Sequence, residues 1–193
     1  MENSRQITAI ILAGGGNSRI GRNKALLQIE GVTFIDYILK QIKDLCDDII
    51  ISSNNPSLYK HLPYKKVQDI IKEQGPLMGI YSCLLESVSD INFVLACDVP
   101  KINLNLLRKL LSFSMEYDVV VPVLPNGKYE PLYAVYNKAA IPAMREILDS
   151  DRRKTSLIFD KVNVKFVYVE DLNWCFNINT EEDYKKLIST MEG

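Results

Sequence analysis

The chain has 193 residues, 47% of them apolar, with 23 lysines and arginines against 24 aspartates and glutamates. That length fits one domain spanning residues 1–193, and that apolar share can fill a globular core. A net charge of -1 excludes a whole-molecule basic field for DNA or RNA phosphates, so any anion site must be local. Cys46, Cys83, Cys97 and Cys175 form no C-x-x-C pair, and His61 is the one histidine. A zinc centre would lack ligands at its usual spacings, and the thiols read as buried and reduced. "MENSRQ" is polar and does not read as a signal peptide, and no apolar run reaches the roughly 18 residues of a spanning helix. The expectation is a soluble, cytoplasmic protein with no membrane contact.

In chain order, "ITAIIL" (7–12) is a β-branched run suited to a strand buried on both faces. Phe34, Ile35, Ile38, Leu39 and Ile42 make one stripe of a helix over 33–45. "DIIIS" (48–52) predicts a second buried strand, and "KKVQ" (65–68) a weak third. Gly75-Pro76 opens a helix reaching about Val88, since proline suits a first turn. "NFVLACDVP" (92–100) reads as a strand ending in an acid, followed by a helix over 103–113. "DVVVPV" and "YEPLYAVY" are strands joined by the turn Pro125-Asn126-Gly127-Lys128. A helix over 138–149, a strand "NVKFVYV" (163–169) and "FNIN" (176–179) lead to a last helix capped by Thr180 with Asp183. The alternation predicts α/β architecture with a mostly parallel sheet and helices on both faces. Gly14, Asn54, Asp69 and Asp98 each follow a strand, so they are expected at one sheet edge.

"LAGGGNSRIGRNKALL" (12–27) leaves the first strand through three glycines and then sets down Arg19, Arg22 and Lys24. Glycine lets backbone approach a ligand, and successive N–H groups make an anion-binding concavity. The loop reads as a phosphate cradle or, more plainly, as a tight turn with solvated basic residues. It is not a P-loop, because Arg22-Asn23 follows Gly21 where Lys and a hydroxyl residue are needed. Nor is it a dinucleotide fingerprint, because Arg19 stands at the third glycine position.

The loop does resemble the nucleotidyltransferase signature L-A-G-G-x-S-x-R-M-G-x-x-K, with Ile20 in place of Met. Within that superfamily it is most similar to the molybdenum cofactor guanylyltransferases. "QGPLMGI" (74–80), "VLACDVPKI" (94–102), "YEPLYAVY" (129–136), "DRRKTSLIF" (151–159) and "FNINTEEDY" (176–184) resemble further family segments in the same order. The resemblance implies a three-layer α/β/α Rossmann-like nucleotidyltransferase fold. It implies that Leu12, Ala13, Gly14 and Gly15 offer backbone to the nucleotide, while Arg19 and Lys24 neutralise its triphosphate. Asp98 would hold Mg²⁺, the expected cofactor. Asn54 and Asp69 match positions around guanine and ribose, or are ordinary turn residues. Arg152 and Arg153 would grip the acceptor's terminal phosphate, and Asn177 and Asn179 would lie near metal and acceptor. Glu130 departs from the family's usual glutamine.

The implied reaction joins GMP from GTP to molybdenum-bearing molybdopterin and releases pyrophosphate. Expected partners are GTP, molybdopterin and, transiently, molybdopterin-carrying proteins. Three alternatives stand: the cytidylyltransferase of the same cofactor, whose loop more often reads L-A-A-G; a sugar-phosphate or polyol nucleotidyltransferase; and a non-catalytic nucleotide-binding regulator on the same fold.

Overall fold

The computed structural model describes residues 6–14, 23–150, 152–170, 178 and 180–191. Its strands and helices are β1 (Ile7–Leu12), β2 (Gln28–Ile29), β3 (Val32–Thr33), α1 (Phe34–Ile42), β4 (Asp48–Ser52), β5 (Lys65–Val67), α2 (Pro76–Glu86), β6 (Ile91–Ala96), α3 (Leu104–Ser112), β7 (Val119–Val123), β8 (Tyr133–Asn137), α4 (Ile141–Asp149), β9 (Val164–Tyr168) and α5 (Glu181–Met191). Seven strands form one sheet in the order β5-β4-β1-β6-β8-β7-β9, and β2 pairs with β3 apart from it. β1 lies parallel to both β4 and β6, β4 to β5, and β7 to β9, while β8 runs antiparallel to β6 and β7. The mostly parallel α/β sheet expected from the alternation is therefore present.

β1 shows why both faces need helices. Ile10 packs with Leu77, Ile80 and Met144 from the α2–α4 layer. Its neighbour Ile11 packs with Ile35, Ile38 and Leu107 from the α1–α3 layer. Period-two alternation thus feeds two cores from one continuous apolar run. A third, smaller cluster of Leu27, Ile29, Phe34, Ile178 and Leu187 fastens α5 to the β2–β3 hairpin. There the Tyr184 hydroxyl donates to the Gln28 carbonyl at 2.7 Å.

Helix ends follow local chemistry. Asn103 Oδ1 accepts the Leu106 N–H at 3.0 Å and caps α3. Thr180 and Asp183 form the reciprocal box expected of them: Asp183 N donates to Thr180 Oγ1 at 3.1 Å, and Thr180 N to Asp183 Oδ2 at 2.9 Å. Several boundaries differ from the sequence reading. The strand expected over "YEPLYAVY" begins only at Tyr133, because 129–132 turn back toward β7, with Glu130 N donating to the Pro122 carbonyl at 3.1 Å. β6 stops at Ala96, so Asp98 lies in the turn beyond the strand rather than at its last position. The 138–149 segment begins as a 3-10 turn, Lys138–Ala140, because the Asn137 side chain captures the Ala139 N–H before α4 starts.

Cys83 and Cys97 are buried, Cys46 is half-buried, and all three are free thiols; Cys175 lies outside the described residues. No helix among those residues is long and apolar enough to cross a membrane.

Two outcomes follow from the caps and thiols. Asn103→Ala should cost about 1 kcal/mol in urea unfolding and lower Tm by about 2–4 °C, with the native fold retained. Burial pushes the Cys46, Cys83 and Cys97 thiols up to about 12, whereas the unfolded chain releases those protons near pH 8.5. The folded state then binds more protons than the unfolded one between these values. Stability should be full below about pH 8.5 and fall as pH rises toward 12, read from urea midpoints at pH 8 and pH 10. The same thiols should resist iodoacetamide at pH 8 until denaturant is added.

Candidate nucleotide site

The register of the parallel strands places the site. Leu12 is level with Ser52 on one side and with Ala96 on the other, and Ser52 is level with Val67. Gly14, Asn54, Asp98 and Asp69 each stand two residues beyond these four, so they rise together at the C-terminal edge. Hydrogen bonds carry the alignment past the strands: Ala13 N to Ser52 O at 2.9 Å, Ser53 N to Val67 O at 2.9 Å and Cys97 N to Leu12 O at 3.2 Å. After β5 the chain crosses from the β4 side of β1 to β6 on its other side, which makes the end of β1 a topological switch point. Ligands of open α/β sheets bind in the crevice at such points.

Gly14 lies where the backbones of β1 and β4 nearly meet. A Cβ there would sit 3.5 Å from Ser53 Cα and 3.7 Å from the Ser52 carbonyl oxygen. Beyond it, Gly15 and Arg19 lie outside the described residues. The chain resumes at Asn23, and Lys24 opens a 3-10 turn, Lys24–Leu26. Its ammonium reaches Asp98 Oδ2 at 3.2 Å, with the two side chains 17% and 26% exposed. At that exposure the pair is screened only in part, and each charge compensates the other.

Asn54 and Asp69 are also brought together. Asn54 Nδ2 donates to Asp69 Oδ2 at 2.8 Å, and Asp69 N donates to Asn54 Oδ1 at 3.0 Å. The amide thus bridges the ends of β4 and β5 and aims the carboxylate. Gly79, in the second turn of α2, backs onto the same place: a Cβ would meet Ser52 Oγ at 3.0 Å, Asp69 Oδ1 at 3.4 Å and Leu12 Cδ2 at 3.5 Å.

Arg152 and Arg153 are exposed on the loop after α4. Arg153 Nη1 donates to the Glu73 carbonyl at 3.0 Å and so braces the β5–α2 connection. That connection is tightly wound, with Glu73 at φ 63° and Gly75 at φ 77°. Asn177 and Asn179 lie outside the described residues. Ile178 between them donates its N–H to the Asp98 carbonyl at 3.0 Å.

Two further residues, Tyr59 and Gly79, belong to this edge, though the sequence reading assigns neither a site role. Tyr59 is fully buried, and its hydroxyl donates to the Ala13 carbonyl at 3.0 Å while accepting from Asn23 Nδ2 at 3.0 Å. Burial pushes that hydroxyl up to about 12, so it keeps its proton. An aromatic residue inside a 3-10 turn 36 residues from its partner gives no periodic signal. Gly79 gives a local signal, because a glycine inside a helix costs about 1 kcal/mol against alanine and points to close packing.

Among the described residues no group of three or more His, Cys, Asp or Glu side chains could hold a metal. Asp98 is a carboxylate beside a basic group at the strand ends. One carboxylate is what Mg²⁺ usually takes from a protein when substrate phosphates and water complete its shell. Asp98 fits a metal that arrives with substrate phosphates.

Comparisons with known proteins give the family and the fold. A family model described as the MobA-like NTP transferase domain matches residues 9–164. A protein of Clostridium perfringens named "Probable molybdenum cofactor guanylyltransferase" is 37% identical, covering 96% of this chain and 98% of its own. One of the same name from Natranaerobius thermophilus is 35% identical over 93% of this chain and 94% of its own. Among solved structures, molybdopterin-guanine dinucleotide biosynthesis protein A from Archaeoglobus fulgidus shares the fold. Its TM-score is 0.83 at 23% identity, covering 96% of this chain and 98% of its own. The synthase of 4-diphosphocytidyl-2C-methyl-D-erythritol from Anaerococcus prevotii shares it at a TM-score of 0.74 and 15% identity, covering 98% and 99%. The chain belongs to the MobA-like NTP transferase family.

Proposed function

We propose that this nucleotidyltransferase transfers GMP from GTP to the terminal phosphate of molybdenum-bearing molybdopterin, forming the guanine dinucleotide cofactor and pyrophosphate. The names of its relatives support the substrates. The observation that carries the chemistry is the 3.2 Å approach of Lys24, at the far end of the glycine-rich loop, to Asp98 beyond β6. Nucleotidyl transfer asks a protein for positioning and for charge stabilisation more than for covalent help. Leu12, Ala13, Gly14 and Gly15 present backbone to the nucleotide. Lys24, with Arg19, turns to the triphosphate and stabilises the charge that grows on departing pyrophosphate. Asn54 and Asp69 read the guanine and ribose, since a carboxylate or amide acceptor suits the N1–H and amino group of guanine. Asp98 would hold Mg²⁺, which when bound supplies Lewis-acid stabilisation of the phosphate oxygens. On the acceptor side, Arg152, Arg153, Asn177 and Asn179 remain the assigned residues, with one N–H of Arg153 given to Glu73. We read residues 1–193 as one nucleotidyltransferase domain acting in the cytoplasm, in transient contact with proteins that carry molybdopterin.

Thermal unfolding with each nucleotide triphosphate and Mg²⁺ tests the reading. GTP at a hundred times its Kd should stabilise the fold by about 2.7 kcal/mol, while ATP, CTP and UTP leave Tm unchanged. Asp98→Ala should abolish the shift, and Lys24→Ala should lower pyrophosphate release at least a hundredfold. A shift with CTP instead of GTP would overturn the choice of nucleotide. Gly79→Ala gives a separate check. The added methyl crowds Ser52, Asp69 and Leu12, while alanine improves helix propensity by about 1 kcal/mol. Melting should therefore stay near wild type while GTP affinity drops about tenfold by calorimetry; an unchanged Kd would count against Asp69 as a nucleotide contact.

A further inference from the structure

We infer that Tyr59 is a positioning residue for Lys24, its buried hydroxyl tying the residue that enters the glycine-rich loop to the residue that leaves it. The inference rests on the guanylyltransferase reading and deepens it. Ala13 precedes the loop and Asn23 ends it, nine residues apart by intervening count (14–22). Both meet one atom: the Tyr59 hydroxyl donates to the Ala13 carbonyl and accepts from Asn23 Nδ2, each at 3.0 Å. A single hydroxyl has one proton and two lone pairs, so it serves both partners at once.

The other end of the Asn23 amide is engaged as well. Asn23 Oδ1 accepts the Ala25 N–H at 3.0 Å, and the Asn23 carbonyl accepts the Leu26 N–H at 3.0 Å. These two bonds close the 3-10 turn on which Lys24 stands. The amide is thus held by Tyr59 through its nitrogen and holds the Lys24 turn through its oxygen. From that turn the ammonium reaches Asp98 at 3.2 Å. Tyr59 itself cannot drift, because it is fully buried in the core beneath α1 and its carbonyl accepts the Leu62 N–H at 3.1 Å. A rigid anchor therefore sets the distance between loop entry and loop exit and aims the lysine. An error of about 1 Å in such placement is enough to cost a large factor in rate.

Phenylalanine at 59 keeps the ring and removes the tie, together with the hydroxyl's hydrogen bond to the Ser53 side chain. With GTP, Mg²⁺ and molybdenum-loaded molybdopterin, Tyr59→Phe should lower kcat about tenfold while the KM for the acceptor stays within twofold. Asn23→Ala, which loses the Oδ1 bond to Ala25 as well as the tie, should lower kcat at least as far. Because Asn23→Ala already breaks the shared link, the double variant should lose no more than Asn23→Ala alone. Tyr133→Phe is the matched control: it deletes an equally buried hydroxyl, bound to the Asn103 carbonyl at 3.0 Å. It should lower Tm and leave kcat alone. A Tyr59→Phe enzyme that is less stable but turns over at the wild-type rate would overturn the inference. So would losses that multiply in the double variant. Wild-type protein that neither binds GTP nor releases pyrophosphate would overturn the guanylyltransferase reading itself, and this inference with it.

Discussion

The whole arrangement depends on register. Four parallel strands end level because each ladder pairs Leu12 with Ser52 and Ala96, and Ser52 with Val67. A shift of one residue in any ladder would turn its apolar set from one helix layer to the other, and burial on both faces forbids that. The same constraint that fills the two cores therefore lifts Gly14, Asn54, Asp69 and Asp98 to a common height. Packing does the aligning, and chemistry uses the result.

Charge is then managed locally. The molecule is almost neutral, yet its switch point gathers a lysine and an aspartate in a half-buried setting. Each would be costly to desolvate alone, and side by side they compensate. The Asn54–Asp69 pair follows the same logic with an amide in place of the lysine. Lys24, Asp98, Asp69 and Arg153 each already hold a protein partner at this edge.

Features set by neighbouring residues could be read from the sequence. Continuous β-branched runs gave the buried strands, and the Asn103 cap and the Thr180–Asp183 box depend on residues only three apart. The convergence of the four strand-end residues was also legible, because parallel sheets place loops after strands on one edge. What distance along the chain concealed is of another kind. Nothing local says that β8 inserts between β6 and β7, since strand order is a tertiary outcome. Nor does anything local link Tyr59 to Asn23, or Arg153 to Glu73 eighty positions earlier. Arginines on a loop read as phosphate ligands; that one of them braces a neighbouring connection emerges only once the loops are side by side. The roles of Gly15, Arg19, Asn177 and Asn179 rest on the sequence resemblance alone.

The direction of β8 has a further effect. Running antiparallel to β6 and β7, it begins at the edge where its neighbours end. The hairpin over 124–132, including Glu130, thus stands beside the strand ends and not at the opposite rim; Ala96 N even donates to the Leu132 carbonyl at 2.9 Å. It joins two adjacent antiparallel strands and carries no crossover helix. Residues could be added to or taken from its tip without disturbing the level ends of β1, β4, β5 and β6. The fold thereby separates a hairpin tip free to diverge from a floor of strand ends that is not.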